Sequence, residues 1–411
     1  MTPPLRVMID ARMLLGRFSG VARFVTGLVE ALAGQPDLRI VALCGDEPFT
    51  AWEGRTDIEM MASSFSRRDR SLLRRMWWEE TRLPAIVKQS GVDLYHATWN
   101  SGIPLRCRVP AVLSLHDLIP WHDPAHCFPS RLHALGYRYA TRAAVGRARV
   151  ITTVSDLVRR DVLHTLRADP NRVVTVPNGM CLQEGKRPSE NVEKTSSLRP
   201  FIPSSLRPYA LYIGGHEPRK NVAGVFAAMQ RFWTRFAEPL DLRLTGTPQA
   251  LCPAARSAYE SWPFKERIQF LGSPDDKTLE REYAGASFLL MLSKAEGFGL
   301  PVLEAFASGC PVIAAQCTSL PEVVGDAGIL VAPENADATV EAMHRLLTQP
   351  EFRNELATRG RRRAALFDWS ILRKRWREVY LRAMVRSRLP VTSSFAGALE
   401  NSARAPAGSP R

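Results

Sequence analysis

Short apolar runs alternate with stretches of helical periodicity along most of this chain, and these two periods set the expected architecture. In the first half, residues 6–9, 39–43, 94–96, 111–115, 150–154 and 173–176 read as strands. Between the first two of them, Val21, Phe24, Val25, Leu28 and Leu32 fall on one face of a helix over residues 20–32. Residues 183–208 lose both periods, turn polar and carry four prolines, as a linker or a long surface insertion would. Alternation then resumes, with strands expected at 210–213, 240–245, 268–271, 288–292, 312–315 and 328–331. Such alternation predicts parallel sheets covered by helices on both faces, hence an α/β fold of two Rossmann-like, doubly wound domains. The expected division is 1–182 for the first domain, 183–208 for the linker and 209–370 for the second domain. An Arg-rich closing helix follows over 371–389, and residues 390–411, rich in Ser, Ala and Pro, are expected to be disordered.

Composition narrows the setting. A chain of 411 residues with 45% hydrophobic content is long enough for two cores. Its seven cysteines stand far apart, with no Cys-X-X-Cys pair and no His/Cys cluster at ligand spacing, which points to reduced thiols and a cytoplasmic location. The first ten residues enter a strand without the apolar core of a signal peptide, and no apolar run reaches the roughly 18 residues of a membrane span. Lys and Arg number 55 against 41 Asp and Glu, a formal charge of +14. No zinc-finger spacing or recognition-module signature directs that charge to nucleic acid. Residues 353–388 hold twelve basic side chains and three acidic ones. Residues 66–88 hold seven basic and three acidic side chains interleaved with Leu72, Leu73, Met76, Trp77 and Trp78. That pairing suits peripheral binding to an anionic membrane surface, the inner face of the cytoplasmic membrane. A solvated helix with its apolar side in the core fits the same pattern.

The densest chemistry lies in Ser293-Lys-Ala-Glu-Gly-Phe-Gly-Leu-Pro-Val-Leu-Glu304. The apolar run before it reads as a buried strand, Gly297 and Gly299 permit close backbone approach, and Pro301 suits a first helical turn. The amides of Gly297, Phe298, Gly299 and Leu300 would then face an anion, most naturally a diphosphate. Glu296 and Glu304 bracket this loop and can accept hydrogen bonds from sugar and ribose hydroxyls. His116, at a strand end beside Asp117, can donate to a sugar hydroxyl. His96 and Asn100, at the end of the preceding strand, are candidates for contacting an acceptor. Gly16-Arg-Phe-Ser-Gly20 lets backbone approach a ligand at Gly16 and Gly20. Arg219 and Lys220, near a helix start, can neutralise a leaving diphosphate. The dinucleotide fingerprint Gly-X-Gly-X-X-Gly is absent, against a nicotinamide enzyme. Asp-X-Asp is absent too, so no metal ion or other cofactor is expected.

The run Glu296-Gly-Phe-Gly-Leu-Pro-Val-Leu-Glu304 resembles the Glu-X7-Glu signature of retaining glycosyltransferases of family 4. Ser114-Leu-His-Asp-Leu-Ile-Pro120, Thr153-Val-Ser155, Val176-Pro-Asn-Gly179, Pro218-Arg-Lys-Asn221 and Phe270-Leu-Gly272 resemble further motifs of that family in its usual order. The resemblance implies the GT-B architecture: two Rossmann-like domains facing a central cleft, with the last helix crossing back to the first. It implies a nucleotide-sugar donor and a glycan or lipid-linked acceptor. It also implies donor-sugar contact for His116 and Glu296, ribose contact for Glu304 and phosphate contact for Lys220 and Arg219. Thr245, Gly246, Phe270 and Leu271 would flank the nucleobase and ribose. The Pro-Arg-Lys-Asn variant is similar to bacterial mannosyl- and rhamnosyltransferases of surface-polysaccharide assembly, which makes GDP-mannose the first donor expected. A nucleotide-sugar epimerase, a sugar phosphorylase or a catalytically degenerate sugar-nucleotide binder would share the architecture.

Overall fold

The computed structural model describes residues 3–12, 14, 20–46, 49–65, 72–181 and 207–385. Gly16, most of the expected linker, the basic residues Arg67 and Arg68, and the expected tail lie outside them. The chain divides into two compact units, one of residues up to Gly179 together with those from Trp369 onward, the other of Met180–Asp368.

In the first unit the order is β1 (Leu5–Asp10), α1 (Gly20–Leu32), β2 (Leu38–Leu43), β3 (Ile58–Met61), α2 (Leu72–Gln89), β4 (Leu94–Ala97) and β5 (Ala111–Leu115). Then come α3 (Ile119–His122), α4 (Pro124–Cys127), α5 (Arg131–Arg147), β6 (Val150–Thr153), α6 (Asp156–Leu166) and β7 (Val173–Thr175). The second unit runs β8 (Tyr209–Tyr212), α7 (Val222–Arg235), β9 (Asp241–Leu244), α8 (Pro253–Glu260), β10 (Ile268–Phe270), α9 (Asp276–Gly285) and β11 (Phe288–Met291). It continues with α10 (Leu300–Ala307), β12 (Val312–Ala315), α11 (Leu320–Val324), β13 (Ile329–Val331), α12 (Ala336–Thr348) and α13 (Pro350–Ala365). The closing helix, α14 (Trp369–Met384), returns to the first unit.

Both sheets are parallel among the described residues, in the orders β3-β2-β1-β4-β5-β6-β7 and β10-β9-β8-β11-β12-β13. Each therefore reverses direction of winding at its centre, between β1 and β4 and between β8 and β11. In doubly wound sheets ligands bind outside the carboxyl ends of the strands at this switch point. This is the two-domain parallel α/β architecture of GT-B. Strand β3 escaped the sequence reading: it is a four-residue edge strand pairing only with β2, and its exposed Glu59 breaks the apolar run.

Glycine at two positions makes room for the closing helix. A Cβ at Gly27 would come within 2.1 Å of the Trp369 ring, and one at Gly179 within 2.5 Å. Trp369 thus seats between α1 and the end of the β7 segment, and Trp376 packs 5.7 Å from Phe24 between ring centroids. The tryptophans of α2 part company: Trp78 is 8% exposed and edges onto Phe65, whereas Trp77 is 57% exposed.

Candidate active site

The second unit assembles its site at the carboxyl ends of β8, β9, β10 and β11. Strand β11 ends at Met291, and residues 292–299, among them the fully buried Ser293, leave the sheet as a loop into α10. Gly299 turns the chain at φ +116°, a conformation nearly closed to other residues, and no side chain caps the helix start it forms. The helix amides point toward the loop side, as expected for an anion site. Phe298 and Leu300 are buried, Phe298 edging onto Phe367 at 5.9 Å, so these two offer a ligand backbone rather than side chain.

Between β8 and α7 a single turn over Pro218–Lys220 carries the two cations. Asn221 closes it in the left-handed region at φ +56° and donates from Nδ2 to Leu292 O (2.9 Å) and Pro333 O (3.0 Å). Lys294 N donates to Arg219 O at 2.7 Å, so the turn is tied to the end of β11 by backbone as well. Lys220 Nζ therefore reaches Glu296 Oε1 at 2.6 Å, and Arg219 Nη1 lies 3.6 Å from Glu296 Oε2 while donating to Ala295 O at 3.2 Å. Glu296 and Lys220 are nearly buried. Two cations and one carboxylate share one small volume, which charge balance alone favours over any of them isolated.

Eight residues on, Glu304 faces α9, where Tyr283 OH donates to its Oε2 at 2.7 Å. Sequence reading missed Tyr283, since nothing in a lone helical tyrosine marks it as the orienting partner of a carboxylate on another helix. At the β9 end, Thr245 Oγ1 accepts from Gly214 N and donates to Gly214 O, both at 3.0 Å. Gly246 and Gly272 exchange backbone bonds at 2.6 and 3.0 Å, which fixes Phe270 and Leu271 beside them. His216 packs on Gly246 with Nε2–H donating to Thr245 O at 2.7 Å; a Cβ on residue 246 would collide with its ring at 2.5 Å.

In the first unit, two expectations require correction. His96 is fully buried, with Nδ1 2.9 Å from Tyr380 OH and Nε2 2.8 Å from Ser114 Oγ, which continues to Thr152 Oγ1 at 2.8 Å. Burial drives its pKa from 6.5 to about 3, so it is a neutral pin between β4, β5 and α14 and not an acceptor contact. Its apolar neighbours in sequence and its place one residue before a strand end concealed this. His116 sits where expected, but its Nε2–H donates to Thr98 O at 2.8 Å, which leaves Nδ1 as a lone-pair acceptor and not the donor expected. Burial, opposed by that bond, lowers its pKa to about 4, so the ring is neutral near pH 7.

Asn100 braces the same loop. Its Oδ1 accepts from His116 N at 3.1 Å, and its Nδ2 donates to Asp117 O (2.6 Å) and Tyr137 OH (2.8 Å). Both amide ends are thus engaged within the unit. Gly20 opens α1 and is exposed. A pair that sequence reading passed over, Asp10 and Arg12, lies fully buried at the end of β1. Arg12 Nε and Nη2 bond both Asp10 oxygens at 2.8 and 2.6 Å, and Phe65, Trp78 and Trp99 surround the guanidinium with centroids 4.6–4.9 Å away. Among the described residues no group of three or more His, Cys, Asp or Glu could hold a metal ion.

Comparison with known proteins finds a family match in each half of the chain. The profile "Glycosyltransferase Family 4" matches residues 18–184, and "Glycosyl transferases group 1" matches residues 199–363. The O-antigen chain mannosyltransferase B of Escherichia coli is 31% identical over 288 residues, 67% of this chain and 71% of that protein. The MMP alpha-(1->4)-mannosyltransferase of Mycolicibacterium hassiacum is 38% identical over 240 residues, 57% of this chain and 54% of that one. Among solved structures, sucrose-phosphate synthase from Thermosynechococcus elongatus superposes with a TM-score of 0.72 at 20% identity, covering 93% of this chain and all of the other. Anabaena HepE in complex with UDP and glucose gives 0.69 at 17% identity, covering 92% and 99%.

Proposed function

The chain belongs to glycosyltransferase family 4, and on that premise we propose that it transfers mannose from GDP-mannose, with retention of configuration, to a glycan or lipid-linked acceptor of a bacterial surface polysaccharide. The observation that carries the reading is the meeting of Lys220, Arg219 and Glu296 at the uncapped start of α10. When the donor binds, Lys220 and Arg219 turn to its diphosphate, where negative charge grows as the sugar bond breaks. Glu296 exchanges those cations for the hydroxyls of the sugar, and Glu304, steadied by Tyr283, takes those of the ribose. The acceptor hydroxyl attacks on the face the phosphate leaves, and the departing phosphate oxygen takes its proton. The anomeric carbon keeps its configuration, with no protein nucleophile and no metal ion.

Mannose is favoured by the names of two relatives, both mannosyltransferases. A transfer assay with GDP-mannose, UDP-glucose, ADP-glucose and dTDP-rhamnose tests it, with product anomers read by NMR. GDP-mannose should give the highest kcat/KM and an α-linked product. Turnover of a uridine donor with none of GDP-mannose, or a β-linked product, overturns the donor or the stereochemistry respectively.

The same reading places the enzyme on an anionic membrane surface by peripheral contact. No helix among the described residues is long and apolar enough to cross a membrane. In the first unit α2 exposes Arg74, Arg75 and Trp77, with Arg82 stacked 5.6 Å from the Trp77 ring. Leu132, Leu135 and Tyr139 are exposed along one face of the neighbouring α5. Apolar side chains set among arginines match the interfacial zone of a bilayer.

A further inference from the structure

The turn after β12 runs alongside the loop that carries Glu296, and it is joined to it by three consecutive side chains. Cys317 Sγ donates to Ser293 O at 3.2 Å. Thr318 Oγ1 accepts from Glu296 N at 3.2 Å. Ser319 Oγ, fully buried, lies 2.9 Å from Glu296 O and 3.1 Å from Phe298 O. Residues 294–299 belong to neither strand nor helix, so their inward-facing backbone groups have no ladder to satisfy them. This turn supplies the missing partners on both sides of the Glu296 Cα.

Thr318 does so in a costly conformation. Its φ is +51°, in the left-handed region that a β-branched residue rarely enters. Glycine or asparagine would occupy that backbone with less strain. What glycine lacks is the hydroxyl oxygen that receives the Glu296 amide. Strain of this kind persists where surrounding structure over-determines it, and it points to a demand other than stability.

We propose that Thr318 and Ser319 are positioning residues for the transfer reaction, holding the Glu296 carboxylate and the adjacent loop amides where the donor's sugar and diphosphate need them. The proposal rests on the reading of Glu296 as a donor-site residue. The two hydroxyls act through the loop and touch no substrate. Turnover depends on where Glu296 stands when charge develops, more than on whether the donor binds at all. Loosening the strap therefore lowers kcat before it raises KM.

Four variants of the full chain separate this role from a merely structural one: Thr318→Val, Thr318→Gly, Thr318→Ser and Ser319→Ala. Thr318→Val keeps shape and strain but removes the acceptor. It should cut kcat about tenfold with donor KM within about twofold, and speed amide hydrogen exchange in residues 294–299 by about tenfold. Thr318→Gly relieves the strain and should melt at or above the parent temperature, yet lose kcat as Val does. Thr318→Ser should restore kcat to within about twofold. Ser319→Ala should follow Val in both exchange and kcat. Unchanged exchange in the Val and Ala variants, or faster exchange with parental kcat, overturns the proposal. So does a Gly variant whose melting temperature and activity fall together. Glu296→Gln is measured beside them: parental turnover there removes the site reading itself, a failure distinct from that of the strap.

Discussion

Lys220 Nζ stands 2.6 Å from Glu296 Oε1 although 76 residues of chain separate them, so this carboxylate competes with any anion for the lysine. Removing the carboxylate therefore has two opposite effects. In Glu296→Gln a bare nucleoside diphosphate should bind about three- to tenfold more tightly, because Lys220 and Arg219 are freed and a nearby negative charge is gone. Turnover should fall by roughly ten- to a hundredfold through the loss of a charged hydrogen-bond acceptor. Titration calorimetry with GDP and UDP, beside single-turnover kinetics, reads both. Weaker diphosphate binding in the variant sinks the exchange of partners.

Glu304 is expected to act on binding. Glu304→Ala should weaken donor affinity about tenfold while the chemical step of bound donor stays within a few-fold. Tyr283→Phe, which removes only the hydroxyl that orients Glu304, should have the same sign and a smaller size. A Tyr283→Phe effect larger than that of Glu304→Ala would show that the tyrosine serves something else.

Charge stabilisation without metal makes a direct prediction. Activity should persist in excess EDTA, and Lys220→Ala should lower turnover by about a hundredfold because the growing charge of the leaving phosphate then meets Arg219 alone. Loss of activity in EDTA that Mg²⁺ or Mn²⁺ restores refutes this.

Acid should destabilise the first unit through its histidines. In the folded chain His96 titrates near 3 and His116 near 4, while both take protons near 6.5 once unfolded. Between those limits the unfolded chain binds more protons, so stability is full above about pH 6.5 and declines as pH falls toward 4. For His96 the slope is at most about 1.4 kcal/mol per pH unit. Thermal melts from pH 7.5 to 4.5 should show a falling midpoint, and His96→Gln should melt lower at pH 7.5 but with a shallower decline. An equally steep decline in that variant assigns the acid sensitivity elsewhere.

Vesicle sedimentation tests the membrane face. Binding should require anionic lipid and weaken from 0.1 M to 1 M salt, as the Debye length shrinks from about 10 to about 3 Å. Joint replacement of Trp77, Leu132 and Leu135 by serine should reduce binding by about tenfold, as should glutamine at Arg74, Arg75 and Arg82. If neither set changes sedimentation, α2 and α5 are not the contact.

Much of the loop between β11 and α10 was legible because it is written locally. The turn glycines, Pro301 and the two glutamates fall within a dozen residues, and their backbone requirements act over the same short span. Tyr283 and Ser319 were not legible, since each earns its role from a partner on another segment. Thr318 was hidden for a further reason: threonine ordinarily argues against a left-handed turn.

Local sequence carries the alternation of strands and helices, hence two parallel α/β units, and the family to which the loop of Glu296 and Glu304 belongs. Hydrophobic period and glycine placement are properties of neighbouring residues, so they survive in one dimension. Tertiary structure alone decided that Trp78 faces inward while Trp77 faces solvent, and that His96 is a buried pin for Tyr380. It also decided that Lys220 meets Glu296. Those outcomes depend on which distant surface covers a side chain and which distant charge it meets, and burial and Coulomb attraction act through space, without regard to distance along the chain.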